Sequence, residues 1–345
     1  AMIGSLSVSA LAQDRPERQS ADAFGSRSGL ESIGLYSESL VRGFDLQQAG
    51  NYRIEDAYFA RAASPPDTIV QGSQIRVGPS ALPIDFPAPS GIVQYRLLPG
   101  DREHARVELG FQHLLDANPR PYARAFFTEG GDDGRWSLSG GAIGSPSARY
   151  IYGNEARYHG LGVVPRMRLG ERWDAVAFYG NYRQRYQADV GFAPADAALP
   201  QPDRLRYLGQ RWSRYDTRNT TYGAILSSRP RDDAWDVSLS GIHSRVDRPR
   251  SDFNLFEQVT SAGDAIGSIV VARARDVFSR AFEGTARRDW RGEHRRDTLT
   301  LVARTRRSDY RKPAVSVFDI GAVSVYEPIA QLPVPEDDTG AARAG

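Results

Sequence analysis

From Gly100 onward the chain alternates apolar and polar residues over stretches of about ten positions. In His104 to Gln112, Val107, Leu109 and Phe111 fall on one face, with Arg106, Glu108 and Gln112 on the other. Trp136 and Leu138 alternate with Ser137 and Ser139. Trp173, Ala175, Ala177 and Tyr179 form another such face, and Trp235, Val237 and Leu239 oppose Asp236, Ser238 and Ser240. The pattern returns at Ile266 to Arg275, Phe278 to Arg287, Thr298 to Arg306 and Val315 to Val325. Side chains alternate faces along a strand, so this period of two predicts strands with one apolar and one polar face.

Two kinds of connection separate these strands. Gly130-Gly131-Asp132-Asp133-Gly134 and Pro230-Arg231-Asp232-Asp233 are short and acidic, whereas Gln187 to Asp216 and Val246 to Asp264 are long. Short turns at one end, long loops at the other and strands of about nine to eleven residues predict a transmembrane antiparallel β-barrel. Trp136, Trp173, Tyr179, Trp235 and Trp290 lie at or near predicted strand ends and suit its interfacial girdle. Soluble sandwiches also alternate, and aromatic residues are good strand formers anyway, so a soluble or surface β-protein stays open at this point. No stretch of about 18 apolar residues exists to make a transmembrane helix, which has no bearing on a barrel.

Upstream of the alternation the character differs. Residues 2–12 are apolar and small and end in Ala10-Leu11-Ala12, like the back half of a secretory signal, so residues 1–13 are read as a signal-peptide remnant. A short apolar N-terminal strand is the alternative. Residues 14–32 are polar without periodicity and are expected to be flexible. Residues 33–99 hold short apolar stretches broken by Gly and Pro, which predicts a small mixed domain of short strands and turns ahead of barrel strands over residues 100–345.

Composition narrows the chemistry. The 345 residues carry 44 Lys and Arg against 42 Asp and Glu, five His and no Cys. A formal net charge of +2 argues against nucleic-acid binding through bulk positive potential. Without Cys there is no disulfide scaffold, thiolate zinc site or Cys nucleophile. The His residues show no metal-ligand spacing. Gly140 to Ser145 lacks the Lys and helix pattern of a phosphate loop, and the Asp pairs read as solvated turns. The basic run from Arg287 to Arg296 reads as a hairpin end whose arginines face lipid headgroups or lipopolysaccharide, not nucleic acid. No catalytic or metal site is expected, and therefore no enzyme.

Four pieces in residues 31–97 carry a family resemblance: VRGF at Val41 to Phe44, NYRIEDAYF at Asn51 to Phe59, IRVGPSAL at Ile75 to Leu82 and PAPSGIVQYRL at Pro87 to Leu97. In series, and followed by barrel-like strands, they resemble the second half of the plug of a TonB-dependent outer-membrane receptor of the ferric siderophore type. The resemblance implies siderophore uptake across a Gram-negative outer membrane, energised through TonB, with iron entering only as part of the transported chelate and no resident cofactor. It implies structural roles for Arg42, Gly43, Phe44, Arg76, Gly78, Pro79 and Gly91, with Arg42 and Arg76 pairing with lumen carboxylates. It places ligand contact on the loop carrying Tyr58, Phe59 and Arg61, with Asp85 and Phe86 as a second candidate. Two departures stand out. No energy-coupling box is visible in Asp14 to Leu30, and at about 20 residues per strand the chain after Gly100 has room for about twelve strands, against about 22 in such transporters. The expectation is a fragment with part of the plug and part of the barrel. A structural or adhesive β-protein, or a non-functional receptor fragment, are the alternatives.

Overall fold

A computed structural model describes residues 17–22, 25–28, 40, 41, 44, 45, 51–76, 91–101, 103–112, 120–149, 154–195, 201–203, 206–231, 234–291 and 295–334, with backbone pairing alone before residue 51. The N-terminal part is a six-stranded sheet plus a short ribbon. Its strands are β1 (Glu17–Asp22), β2 (Gly25–Ser28), β3 (Leu40–Val41), β4 (Phe44–Asp45), β5 (Tyr52–Ile54), β6 (Ala57–Tyr58), β7 (Val70–Arg76) and β8 (Ile92–Leu97). The sheet order is β2-β1-β7-β8-β5-β6, with β3 and β4 paired apart. Segment 14–32 thus holds two strands where the sequence shows no periodicity. β1 runs parallel to β7, and backbone pairing onto a sheet edge needs no apolar alternation. Gly91 enters β8 at φ 111°, a conformation glycine adopts without steric cost, and its carbonyl accepts from Asn51 Nδ2 at 3.1 Å.

The chain leaves this domain at Pro99, whose carbonyl accepts from Ser139 Oγ at 2.5 Å and Thr128 Oγ1 at 3.3 Å. The strands that follow are β9 (His104–Gln112), β10 (Arg120–Gly130), β11 (Trp136–Arg149), β12 (Glu155–Leu169), β13 (Trp173–Gln187), β14 (Asp189–Pro194), β15 (Arg214–Ser228), β16 (Asp236–Ser251), β17 (Phe253–Val259), β18 (Asp264–Arg291), β19 (Arg296–Arg311) and β20 (Ala314–Ser324). They form one 12-stranded sheet. Nine of them, β9-β10-β11-β12-β13-β15-β16-β18-β19, follow one another as an up-and-down antiparallel wall. Among the described residues β9 and β19 do not pair, so the wall is an open part of a barrel.

Strands exceed the ten-residue expectation. β11, β12, β13, β15, β16 and β19 run for 14 to 16 residues. The stretches 266–275 and 278–287 belong to a single 28-residue strand, β18, because β19 and β20 both run antiparallel along it. The polar interval around Asp276 resembles a turn in sequence, yet ladder bonds on both sides carry the strand through it.

The wall is inverted relative to a water-soluble sheet. Along β12, Leu161, Val163, Met167 and Leu169 are exposed while Gly160, Gly162 and Val164 are buried. Tyr179, Tyr222, Leu239, Phe282 and Leu301 continue the exposed apolar face on neighbouring strands. An exposed apolar surface this continuous is the pattern of an outer-membrane barrel's outward face and unlike that of a soluble sheet. Trp136 and Trp173 open β11 and β13, Trp235 precedes β16 and Trp290 nearly closes β18, so all four sit at one end. Trp235 and Trp290 meet edge to face at 6.4 Å. Tyr179 departs from the expected girdle, since it lies mid-strand in β13.

The Trp end carries the short connections at 131–135, 170–172, 229–235 and 292–295, whereas 188–213 and 252–263 lie at the other end, together with the two-residue break between β19 and β20 at 312–313. In outer-membrane barrels the short-turn end is periplasmic. At the long-loop end, β14 pairs β17, β17 pairs β18, and Leu208, Phe256, Val259, Ala265, Val325 and Ile329 form a second small core. Tyr207 is tied into this cap by its O–H to the Ala188 carbonyl at 2.8 Å, and burial pushes its pKa up to about 12.

Candidate functional site

The inner domain seats against the wall through its own core residues. Tyr52, Ile54, Phe59, Ile69, Val93 and Tyr95 form one cluster with Val164, Phe178, Ile225 and Ile242 of the inner wall. The loop between β6 and β7 lies along a row of small residues, for which the ladder register aligns Gly141, Gly162, Gly180, Thr221, Ser244 and Ser279 on successive strands. A Cβ at Gly162 would run into Ile69 and stand 2.6 Å from the Thr68 carbonyl, and one at Gly180 would meet Ile69 Cδ1 at 3.0 Å. Ser244 Oγ accepts from the amides of Ala62 and Ala63, each at 3.3 Å, and Ser279 Oγ donates to the Ala60 carbonyl. Small residues let the two backbones approach, and hydroxyls satisfy the loop's polar groups where glycine gives way to serine.

One turn lower the contact is ionic. Glu283 of β18 accepts from Arg53 Nη1 at 3.3 Å, from the Tyr58 amide at 3.0 Å and from Arg304 Nη2 at 2.6 Å. The Arg304 guanidinium stands 3.8 Å from the Tyr58 ring centre, and Arg306 donates to the Tyr58 hydroxyl at 3.2 Å. Burial pulls the Arg53 pKa below its ordinary value, opposed by Glu283. Removing the carboxylate would take from Arg53 and Arg304 the acceptor they share.

These contacts fix where the predicted ligand residues lie. Tyr58 and Phe59 are 4% and 0% exposed, their surfaces taken up by the wall and the inner core. Arg61 donates to the Tyr52 hydroxyl at 3.1 Å and Ser64 Oγ at 2.7 Å, and stacks 4.8 Å from the Tyr52 ring centre. Among the described residues Arg76 Nη2 donates to Gln74 Oε1 at 2.8 Å, while Arg53 pairs with a lumen carboxylate, Glu283. Arg42, Gly43, Gly78, Pro79, Asp85 and Phe86 lie outside the described residues, and Phe44 is placed only as part of β4.

Beyond the small-residue row, toward the long loops, the same inner faces change chemistry. Tyr158 and Tyr182 pack at 5.9 Å, and Tyr186 stacks on Tyr215 at 4.7 Å. Arg248 of β16 stands 5.6 Å from the Tyr215 ring centre and Arg275 of β18 stands 5.5 Å from that of Tyr310. The register sets Arg248 directly opposite Arg275. Like charges in that position repel. The next pair up, Arg250 and Arg273, faces the same problem and solves it with Asp252, whose buried carboxylate bonds both. For Arg248 and Arg275 no ion pair exists among the described residues. Their Nε atoms, with Thr217 Oγ1 and Asn219 Oδ1, are buried without a hydrogen-bond partner there. Two cations, flanking tyrosine faces and unsatisfied polar atoms make a site for an anionic solute bearing flat groups. Sequence reasoning missed it. Its one visible signal is the alternation Tyr182-x-Gln184-x-Tyr186, a polar face continuing the inner side of β13.

No family model matches the chain, and no curated protein matches it in sequence. Solved structures do match in fold. The ferric-catecholate import receptor Fiu of E. coli K12 matches with a TM-score of 0.62 at 13% identity, over 82% of this chain and 46% of the receptor. The ferripyoverdine receptor of the Pseudomonas aeruginosa outer membrane matches with a TM-score of 0.58 at 12% identity, over 86% and 39%. The siderophore receptor PiuA of Acinetobacter baumannii matches with a TM-score of 0.57 at 10% identity, over 85% and 45%. This chain therefore spans less than half the length of the solved receptors it matches, and over that span it has the fold of the TonB-dependent ferric siderophore receptors that its sequence motifs resemble.

Proposed function

We propose that the protein belongs to an outer-membrane receptor that takes up a ferric siderophore by TonB-dependent transport. The observation that carries this reading is the Arg248–Arg275 pair, set between tyrosine faces on the long-loop side of the inner domain. Ferric chelates of catecholate or carboxylate donors are anionic and present flat rings or conjugated arms, which such a site accommodates by charge and by stacking. The inner domain acts as the plug below this site. Passage then requires the Glu283 contacts and the loop on the small-residue row to separate from the wall, and energy delivered from the inner membrane through TonB supplies that work. No covalent step is needed, so the role is binding and transport, not catalysis.

The test is equilibrium titration of the detergent-purified protein with the ferric and iron-free forms of a tris-catecholate chelator, followed by intrinsic fluorescence. The expected result is saturable quenching by the ferric form at micromolar concentration or below, weakened by added salt. Absence of saturable binding by ferric catecholate, and equally by a ferric carboxylate chelate, would overturn the reading.

A further inference from the structure

We infer that Asp252 is a specificity-determining residue of the proposed chelate site. By occupying Arg250 and Arg273 it limits the negative charge, and fixes the depth, of the anion held at Arg248 and Arg275. The inference rests on the proposed function and adds to it the charge class of anion that the site selects. Going toward the long loops, every second residue of β16 and β17 shares the inner face, and this column reads Arg248, Arg250, Asp252, Asn254 and Phe256. The register runs unbroken across the β16–β17 junction, with Arg248 opposite Arg275, Arg250 opposite Arg273 and Asn254 opposite Ile269. Each step is about 7 Å. The column thus passes from facing cations, through cations that share a carboxylate, to the buried Asn254 and Phe256 of the cap.

Asp252 is held so that it cannot turn away. It is the single residue between β16 and β17, at the level where β15 begins. Its amide donates to the Arg214 carbonyl at 3.0 Å, and its Oδ2 accepts from the Arg214 amide at 2.9 Å. Beyond that level β14 pairs directly with β17. The Asp252 side chain is fully buried, and its carboxylate also accepts from Arg250 Nη2 at 2.8 Å and from Arg273 Nη1. Arg250 Nη2 is further tied to the Trp212 carbonyl at 3.2 Å. A carboxylate needed only to start β15 would be served by the Arg214 amide. Here it also sits on the upper half of a four-arginine ladder, where its charge offsets the pull of Arg250 and Arg273 on any anion below. A chelate therefore meets one free arginine pair instead of two. It is held at the lower pair, clear of the cap, and chelates of low negative charge compete better than four free arginines would allow.

The experiment titrates the detergent-purified protein with two ferric chelates, a trianionic tris-catecholate and a mono-anion built from one catecholate and two hydroxamate arms, and reads the ratio of their affinities. Asp252→Asn frees Arg250 and Arg273, and is expected to raise the preference for the trianion about tenfold over wild type. The Asp252→Asn, Arg250→Gln, Arg273→Gln variant removes the whole upper layer without leaving an unpaired charge, and its ratio is expected to return to within about threefold of wild type. A merely structural role for Asp252 would weaken both chelates alike and leave the ratio unmoved. An unchanged ratio in Asp252→Asn protein that keeps its thermal midpoint, or a raised ratio that persists in the triple variant, would overturn the inference. If Asp252→Asn alone does not fold, the triple variant decides. A wild-type ratio there supports a silent upper layer, and a loss of about tenfold or more in tris-catecholate affinity shows that Arg250 and Arg273 already hold the ligand, which overturns it. Failure of wild type to bind either chelate overturns the proposed function itself, and this inference with it.

Discussion

Strands β15, β16 and β18 each carry two inner surfaces, one under the inner domain and one beyond it, and the two are built on opposite principles. Under the domain, Thr221, Ser244, Ser279 and Glu283 present small or charged groups, and the last three are each bonded to the loop or strand that covers them. Beyond it, Tyr215, Arg248 and Arg275 are large and cationic, and the facing arginines lack a protein counter-ion among the described residues. A wall whose only task is to close around a domain has no use for the second pattern. Strand periodicity is the same on both surfaces. What differs is whether the matching chemistry is supplied by the chain or by a ligand.

The sharpest way to break this contrast is to unmatch the covered surface. Glu283→Ala removes the carboxylate that Arg53 and Arg304 share, and breaking a buried pair in this way costs about 3–5 kcal/mol. A clear fall in the thermal midpoint of the detergent-solubilised protein, with faster proteolysis of the loop at Arg61, is the expected outcome. A midpoint unchanged from wild type would show that the junction does not hold the two parts together. Gly162→Val tests the small-residue row more gently. Its side chain collides with Ile69 and Thr68, and overpacking of this kind costs about 1–3 kcal/mol. Gly144→Ala serves as the control, because a Cβ there meets nothing nearer than the Tyr158 carbonyl at 3.5 Å, and its midpoint should stay close to wild type. Equal shifts in the two glycine variants would remove the claim that the row is shaped to the loop.

The alternation of Trp173, Ala175, Ala177 and Tyr179, or of Val107, Leu109 and Phe111, made the wall legible, because one face of each strand must satisfy an apolar environment wherever it crosses the apolar band. The length of β18 was not legible. Beyond the apolar band neither face of a strand has to be hydrophobic, so the polar run around Asp276 looks like a turn although backbone ladders continue on both sides. Tyr58 and Phe59 were recognisable as aromatic loop residues. What takes Tyr58 depends on Glu283, Arg304 and Arg306, more than 200 positions away in sequence, while Phe59 packs edge to face on Tyr95. Arg248 and Arg275 belong to the same class of problem. Each is an unremarkable charge in its own strand, and only register brings the two face to face. Local pattern therefore reports environment, while the site arises from partners that only the fold assembles.

The most direct test of the uncovered surface is the affinity for ferric catecholate of an Arg248→Gln, Arg275→Gln variant beside wild type, with the thermal midpoint of each recorded. Losing two charge-assisted contacts should weaken binding by about tenfold to a hundredfold, while relief of the facing charges leaves the midpoint equal or slightly higher. Unchanged affinity, or a loss of affinity that merely follows a collapse in stability, would contradict the assignment of this surface to a ligand.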